Sequence, residues 1–548
     1  MNLLVFLGQM NMRHCISILL VLCLCLCGVY AQSPSLIPLP AEIKPGTGVF
    51  TITSATKIVL KTDSLEVKKI CDFFLDLMNP GTGLNIGYAS ASSSSIVVEL
   101  DSLIAHPEGY RLKVTTREVT IQAQTPAGIF YAFQTLRQLL PPLIESRTVV
   151  ANRRWTIPVI EINDAPRFVY RGLMLDVARH FFPVSDIKHY IDLLAMHKYN
   201  YLHLHLTDDQ GWRIEIPGYP RFQSISAWRR ETIVGHLNDE PRQYDGIRHG
   251  GYYTQEELME LVQYAADRYI TIVPEIEIPG HATALLAAYP GYACWGGSFE
   301  VARDWGIFQN ILCPREDTFL FLESLLNEVM KIFPGKYIHI GGDECPKDQW
   351  KSSEYCHNLK IQNYLQTDEQ LQTWFMRRIA RYVQSRGRQV IGWDEMIDGG
   401  NIDGATIMSW RGEDGGITAA RNGNYVIMTP HRYCYFDYYQ SNRRNEEPLA
   451  QTNYLPLSMV YQYEPIPGEL IDDEKQYILG TQGNLWTEYI PDMHQAEYMA
   501  YPRACALAEV AWTPADKKSY GQFLNRLRGH STRLELMNVN FARHFLVN

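Results

Sequence analysis

Residues 170–213 read YRGLMLDVARHFFPVSDIKHYIDLLAMHKYNYLHLHLTDDQGWR. Two short apolar runs, Tyr170–Val177 and Tyr199–Thr207, bracket a stretch with helical spacing. In Val184–Lys198 the residues Ile187, Ile191 and Leu194 fall on one helical face, and Ser185 is the expected N-cap. Strand, helix, strand in so short a span predicts parallel strands joined by a crossover helix. The first run leads into Ala178-Arg179-His180, where a doubly wound nucleotide-binding sheet would carry a glycine-rich turn.

The unit repeats downstream. Further strands are predicted at Tyr269–Ile278, Tyr337–Gly341, Gln389–Trp393, Ala405–Trp410, Tyr425–Thr429 and Gln476–Gln482. Helices are predicted at Thr254–Tyr269, Asp317–Phe333 and Asp368–Arg386, the first opening on Thr254 and Glu257 in capping-box spacing. Eight strands alternating with helices over residues 166–515 predict an α/β fold, a (β/α)8 TIM barrel. Residues 32–165 read as a small α+β accessory domain. Strand-like alternation covers Val49–Lys61, Ser95–Asp101 and Tyr110–Ala123, and a helix over Gly128–Leu140 stops before Pro141-Pro142. Residues 516–548 carry an amphipathic helix, Tyr520–Leu536, expected to pack on the barrel.

Residues 1–31 read as a signal peptide cleaved after Ala31. Arg13 and His14 precede an apolar run, Cys15–Cys27, too short to span a bilayer, and Val29-Tyr30-Ala31 follows. The protein is therefore expected to be exported, periplasmic or extracellular, from a bacterial source, with no stable membrane span. Its 548 residues carry a net charge of −10, which argues against nucleic-acid and anionic-membrane partners. The 33 Tyr, 20 Phe and 11 Trp supply flat rings of the kind that stack on sugars or fill a large core. Beyond residue 31 lie seven cysteines, with Cys294–Cys313 and Cys345–Cys356 as expected loop-closing pairs. No CxxC pair is present, so no structural zinc site is expected.

Barrel chemistry sits at the C-terminal ends of the strands. The predicted strands end in or lead to Asp176 and Arg179, Asp208-Asp209-Gln210, Glu275, Glu277 and His281, Asp343-Glu344, Trp393-Asp394-Glu395, Trp410-Arg411, Tyr435 and Asp437, and Trp486 and Glu488. Two chemistries fit such a rim. One is glycoside hydrolysis, with a carboxyl acid, a negative group to stabilise the oxocarbenium-like centre, and tryptophan walls. The other is metal-dependent hydrolysis through His339, Asp343, His281 and Asp208. His203 and His205 alternate with Leu and point to one face together, as barrel packing requires, and no HExxH is present. A non-catalytic sugar-binding protein on the same barrel is the reading from another class.

His339-Ile340-Gly341-Gly342-Asp343-Glu344 resembles the signature of family 20 glycoside hydrolases, the β-N-acetylhexosaminidases. Arg171–His180, His203–Arg213, Pro274–His281, Gly392–Glu395 and Leu485–Glu488 resemble the family's other strand-end motifs, in order. The resemblance spans nearly the whole chain after residue 31. It implies exo-acting removal of terminal non-reducing N-acetylhexosamine from glycans, with retention, no cofactor and no metal. The substrate's own 2-acetamido oxygen would attack the anomeric carbon. Asp343 would hold the acetamido N–H, and Glu344 would serve as acid and then base. His281 and Asp208 would tune it, and Tyr435 would orient the acetamido carbonyl. Arg179, Asp437 and Glu488 would bind hydroxyls, while Trp393, Trp410 and Trp486 would wall the pocket. Two departures stand out: Glu277 where Asp is common, and no tryptophan between Asp437 and Gly480, with Tyr461 or Tyr463 as the expected replacement. Neighbouring strand residues face opposite ways, so Asp343 and Glu344 can share one site only if Gly341-Gly342 breaks the strand.

Overall fold

The computed structural model describes residues 34–546, and the expected signal peptide lies outside them. Among the described residues no helix is long and apolar enough to cross a membrane.

The N-terminal domain is one mixed seven-stranded sheet. Its strands are β1 (Glu42–Ile52), β2 (Lys57–Leu60), β3 (Gly87–Tyr88), β4 (Ser95–Leu100), β5 (Tyr110–Val114), β6 (Glu118–Ala123) and β7 (Trp155–Asp164), in the order β1-β7-β5-β6-β4-β2-β3. Burial alternates along β5 and β6, so the sheet buries one face, against which α1 (Leu65–Thr82) and α2 (Pro126–Leu139) pack. The stretches Val49–Lys61 and Tyr110–Ala123, which show strand-like alternation in sequence, each span parts of two strands separated by a turn. In the second, the Thr115 hydroxyl accepts from the backbone N–H groups of Arg117 (3.2 Å) and Glu118 (3.0 Å) and closes a turn. Such local bonds compete with a continuous ladder.

The barrel strands are β8 (Tyr170–Asp176), β9 (Tyr201–His205), β10 (Thr271–Glu275), β11 (Tyr337–His339), β12 (Gln389–Trp393), β13 (Thr406–Ser409), β14 (Tyr425–Met428) and β15 (Ile478–Gly483). All pair in parallel and in chain order, and β15 closes on β8 with Gly480 opposite Tyr170. Every residue of β8 is buried, as expected of a strand covered on both faces. Around the barrel lie α3 (Val184–Met196), α4 (Gln255–Ala266), α5 (Glu316–Ile332), α6 (Asp368–Ser385), α7 (Asp414–Arg421) and α8 (Arg503–Trp512). The capping box at Thr254 forms: its hydroxyl accepts from Glu257 N (3.2 Å), and its own N–H donates to Glu257 Oε2 (2.9 Å). Ser185 is not the cap of α3. Pro183 holds that position in extended backbone, and the Ser185 hydroxyl turns to Asp186.

α9 (Tyr520–Leu536) packs on both domains. Its Arg533 pairs with Glu145, which also receives Arg137 Nη2 at 2.6 Å. All three side chains are buried. Burial pushes the Glu145 carboxyl up, but Arg137 and Arg533 outweigh it and hold the group below its usual range. Removing this one anion strands two buried guanidiniums. Glu145→Ala should therefore cost about 3–5 kcal/mol of stability, read as a fall in the urea unfolding midpoint. A midpoint within error of wild type would contradict that role.

Cys294 and Cys313 form the expected disulfide. The expected Cys345–Cys356 bond is absent, and both thiols are buried and free. The chain turns at Glu344 so that Cys345 backs onto Gly280, while Cys356 Sγ lies 3.7 Å from Cys294 Sγ on the next helix.

Candidate active site

The Asp343-Glu344 pair sits just past the end of β11. The strand stops at His339, and Gly341 (φ 64°), Gly342 (φ 106°) and Glu344 (φ 44°) all take left-handed backbone. That breaks the alternation which would send two adjacent side chains to opposite faces. A Cβ on Gly341 would lie 2.0 Å from Glu277 Oε2, so any other residue there would displace the Glu277 carboxyl as well as strain the left-handed backbone. Both carboxylates consequently face one nitrogen: His281 Nε2 is 3.6 Å from Asp343 Oδ2 and 3.6 Å from Glu344 Oε2.

His281 is held from behind. Its Nδ1 is 3.0 Å from Asp209 Oδ2 and 3.2 Å from Asp208 Oδ1. Asp208 Oδ2 in turn receives Arg179 Nη2 at 2.7 Å and lies 3.0 Å from His205 Nε2. Arg179 also donates to Asp176 Oδ2 and Gln210 Oε1, with its guanidinium 5.1 Å above the Trp486 ring. Burial alone would lower His281, but Asp208, Asp209 and Asp343 hold it well above the usual histidine range. Burial raises Asp208 too, yet Arg179 and then His281 bring it far below the ordinary carboxylate range. Asp343 is pushed up to about 6, by burial first, then by Glu344, Glu275 and Asp208, with His281 opposing.

Beneath the pair, inside the barrel, four side-chain nitrogens surround the Glu275 carboxylate. His339 Nδ1 and Trp393 Nε1 are each 2.8 Å from Oε1; His203 Nε2 is 3.0 Å from Oε2, which His205 Nδ1 also contacts. His339 therefore belongs to Glu275 and His281 to the Asp208-Asp209 pair. Of the four-residue metal set read as an alternative, Asp208, His281 and Asp343 stay together and His339 alone turns away.

Aromatic rings close the sides. Tyr435 lies 6.0 Å from Trp410 at an interplanar angle of 20° and 6.3 Å from Trp486, and Trp486 lies 5.9 Å from Trp393. Trp410 Nε1 is fixed by Glu395 Oε2 at 2.9 Å. Burial, then Asp343 and Asp394, push Glu395 up to about 9. Asp437 and Glu488 are near enough to feel each other's charge. Burial and then Glu488 raise Asp437 well above its usual range. Among the described residues, buried carboxylate oxygens of Asp343 (Oδ1), Asp437 (Oδ1) and Glu488 (Oε2), besides both of Glu277, find no hydrogen-bond partner. Buried acceptors of this kind call for a ligand rich in O–H and N–H donors.

The eleven residues picked from the sequence thus form one connected rim. Four partners carried no assigned role there: Asp209, Gln210, Glu275 and Glu395. Their signal was only adjacency to motif residues at strand ends. Tyr461 and Tyr463 do not replace the missing tryptophan. Tyr461 donates to Glu509 (2.8 Å) and packs on Phe523 of α9, and Tyr463 stacks on Tyr433, both buried. Glu277 is buried, and neither of its carboxylate oxygens finds a hydrogen-bond partner among the described residues.

A (β/α)8 barrel with adjacent carboxylates in an aromatic-walled pocket at its C-terminal rim defines a barrel glycoside hydrolase. The chain belongs to glycosyl hydrolase family 20. The family's catalytic-domain model matches residues 168–515, and its domain 2 model matches residues 33–165. A beta-hexosaminidase of Porphyromonas gingivalis is 42% identical over 518 residues, covering 93% of this chain; the chain spans 65% of that relative's length. A beta-hexosaminidase of Akkermansia muciniphila is 35% identical over 429 residues, covering 77% of this chain and 83% of its own. Among solved structures, the GH20 beta-N-acetylhexosaminidase of Streptomyces coelicolor superposes with a TM-score of 0.81 at 32% identity, covering 93% of this chain and 97% of its own. A mutant Streptomyces plicatus beta-hexosaminidase in complex with its product, GlcNAc, gives 0.81 at 32%, covering 93% and 96%.

Proposed function

We propose that the protein is an exported, exo-acting β-N-acetylhexosaminidase. It removes terminal non-reducing β-linked N-acetylglucosamine and N-acetylgalactosamine from glycans with retention, by a substrate-assisted route and without a cofactor. The observation that carries this reading is the convergence of Asp343 and Glu344 on His281 Nε2. The relatives' names support it. So do the unpartnered oxygens of Asp343, Asp437 and Glu488. Export rests on the sequence of residues 15–31 alone.

The acetamido carbonyl oxygen attacks the anomeric carbon while Glu344 protonates the departing oxygen. An oxazolinium forms, and Asp343 accepts its N–H and balances its charge. Tyr435, whose hydroxyl burial keeps protonated, donates to the carbonyl oxygen and aims it. Glu344 then takes a proton from the water that reopens the ring. Every step keeps Asp343 ionised, and protonation below about 6 removes its charge. The sign is therefore fixed: kcat/KM should decline as pH falls through about 6. A profile flat from pH 7 to pH 4.5 would contradict this role. Proton NMR during hydrolysis of an aryl N-acetyl-β-glucosaminide should show the β anomer of the free sugar first; the α anomer first would overturn the proposal.

Tyr435→Phe should lower kcat by about 10²-fold, the scale of one lost donor to a developing charge, with KM little changed. An equal rise in KM at unchanged kcat would make Tyr435 a binding group only.

A further inference from the structure

We propose that His197, Cys505 and His530 form a structural metal site for a thiophilic ion, zinc above all, far from the catalytic rim. His197 caps the C-terminal end of α3, just before β9 begins, which places the group at the opposite end of the barrel from Glu344. Cys505 lies in α8 and His530 in α9. All three side chains are buried.

The donor atoms converge. His197 Nε2 is 3.0 Å from His530 Nε2 and 3.4 Å from Cys505 Sγ. The three lie within 4.8 Å of one another. A tetrahedral zinc ion with Zn–N near 2.0–2.1 Å and Zn–S near 2.3 Å sets its donors about 3.3–3.6 Å apart. His197 Nδ1 sits 2.8 Å from Leu193 O, so that nitrogen carries the proton and Nε2 keeps its lone pair. Such backbone anchoring of the far nitrogen is how metal-ligating histidines are oriented.

The surroundings are under-satisfied by protein alone. His530 Nδ1 is buried without a partner among the described residues. The hydroxyls of Tyr501 and Tyr190 are buried without partners as well, and the Tyr501 ring lies 5.5 Å from His197. The three side chains supply three of the four positions of a tetrahedral ion. One sulfur and two imidazole nitrogens, with no carboxylate, suit zinc or a softer ion and not calcium or magnesium. Binding would replace the Cys505 thiol proton by the metal.

The ion would tie the first and last barrel helices to the C-terminal helix. These ligands are 308 and 333 residues apart in sequence. No CxxC or HxxxH spacing announces such a site.

The test is metal content and stability, not activity. The purified protein is unfolded in guanidinium with EDTA, then refolded without reductant, with or without zinc chloride, and desalted. Wild type should retain about one zinc per chain by mass spectrometry and gain on the order of 5 °C in unfolding midpoint. Cobalt(II) in place of zinc should give a near-ultraviolet thiolate charge-transfer band. Cys505→Ser and His530→Gln should each lose the bound zinc and the midpoint gain, and Cys505→Ser the cobalt band. Wild type that refolds with no zinc above background and an unchanged midpoint overturns the proposal, and this arm needs no variant to fold. Retention of one zinc by Cys505→Ser overturns it too.

Discussion

Glu344→Gln is expected to lower kcat/KM by about 10²–10⁴-fold on an N-acetyl-β-glucosaminide with an alkyl or sugar leaving group, while leaving the fold intact. The side chain is one-third exposed; among the described residues its one ion-pair contact is His281 at 3.6 Å, and the Asp343 carboxylate beside it repels it. Removing its charge buries no orphan, so the unfolding midpoint should stay within the range of ordinary surface changes, about 0.5 kcal/mol. The loss should depend on the leaving group. A nitrophenolate departs without full protonation and an alkoxide does not, so the deficit should be smaller with the aryl substrate. Azide should then accelerate the second half of the reaction and yield a β-glycosyl azide, because it needs no base to attack the oxazolinium. An equal loss across all leaving groups, with no azide product, would mean that Glu344 positions the sugar and does not move the proton.

The barrel was legible because its strands are short, apolar on both faces and separated by helices. All eight predicted segments overlap observed strands, β8 and β12 almost to the residue. The N-terminal sheet was less so: a threonine that bonds its own turn at Thr115 looks, in sequence, like one more β-branched strand residue. The rim was legible wherever a polar residue lies in the loop just past a barrel strand, as with Asp208, His281 and Asp343. The hub under it was not. Glu275 is the last residue of β10, and the side chains around it come from three other strands, His203 and His205 on β9, His339 on β11 and Trp393 on β12. Cysteine spacing misled for the same reason. Cys345 and Cys356 are near in sequence, but the left-handed turn at Glu344 sends them to different neighbours. Cys505 meets histidines that no sequence window contains.

Replacing the substrate's 2-acetamido group by hydroxyl should lower kcat/KM on the order of 10⁵-fold, the largest effect expected of this site. A held intramolecular nucleophile is worth effective concentrations of about 10⁵–10⁸ M, and the change removes that nucleophile outright. A conventional retaining enzyme would lose far less, because it brings its own carboxylate to the anomeric carbon. Asp343 is the one residue that could be mistaken for such a nucleophile. Its carboxylate shares His281 with the acid Glu344, and its Oδ1 is buried with no protein partner, placed to accept an N–H. The two roles separate in a double comparison. If Asp343 serves the acetamido group, Asp343→Asn should cripple N-acetyl substrates and leave the residual activity on an aryl β-glucoside unchanged. If Asp343 were the nucleophile, the variant would lose both activities by the same factor. A thiazoline analogue of the intermediate should accordingly bind the wild type far more tightly than N-acetylglucosamine does. It should lose most of that advantage in Asp343→Asn, where no anion remains to meet its charged ring. A thiazoline no better than the product sugar, or an aryl glucoside turned over within tenfold of its N-acetyl counterpart, would return the nucleophile to the protein.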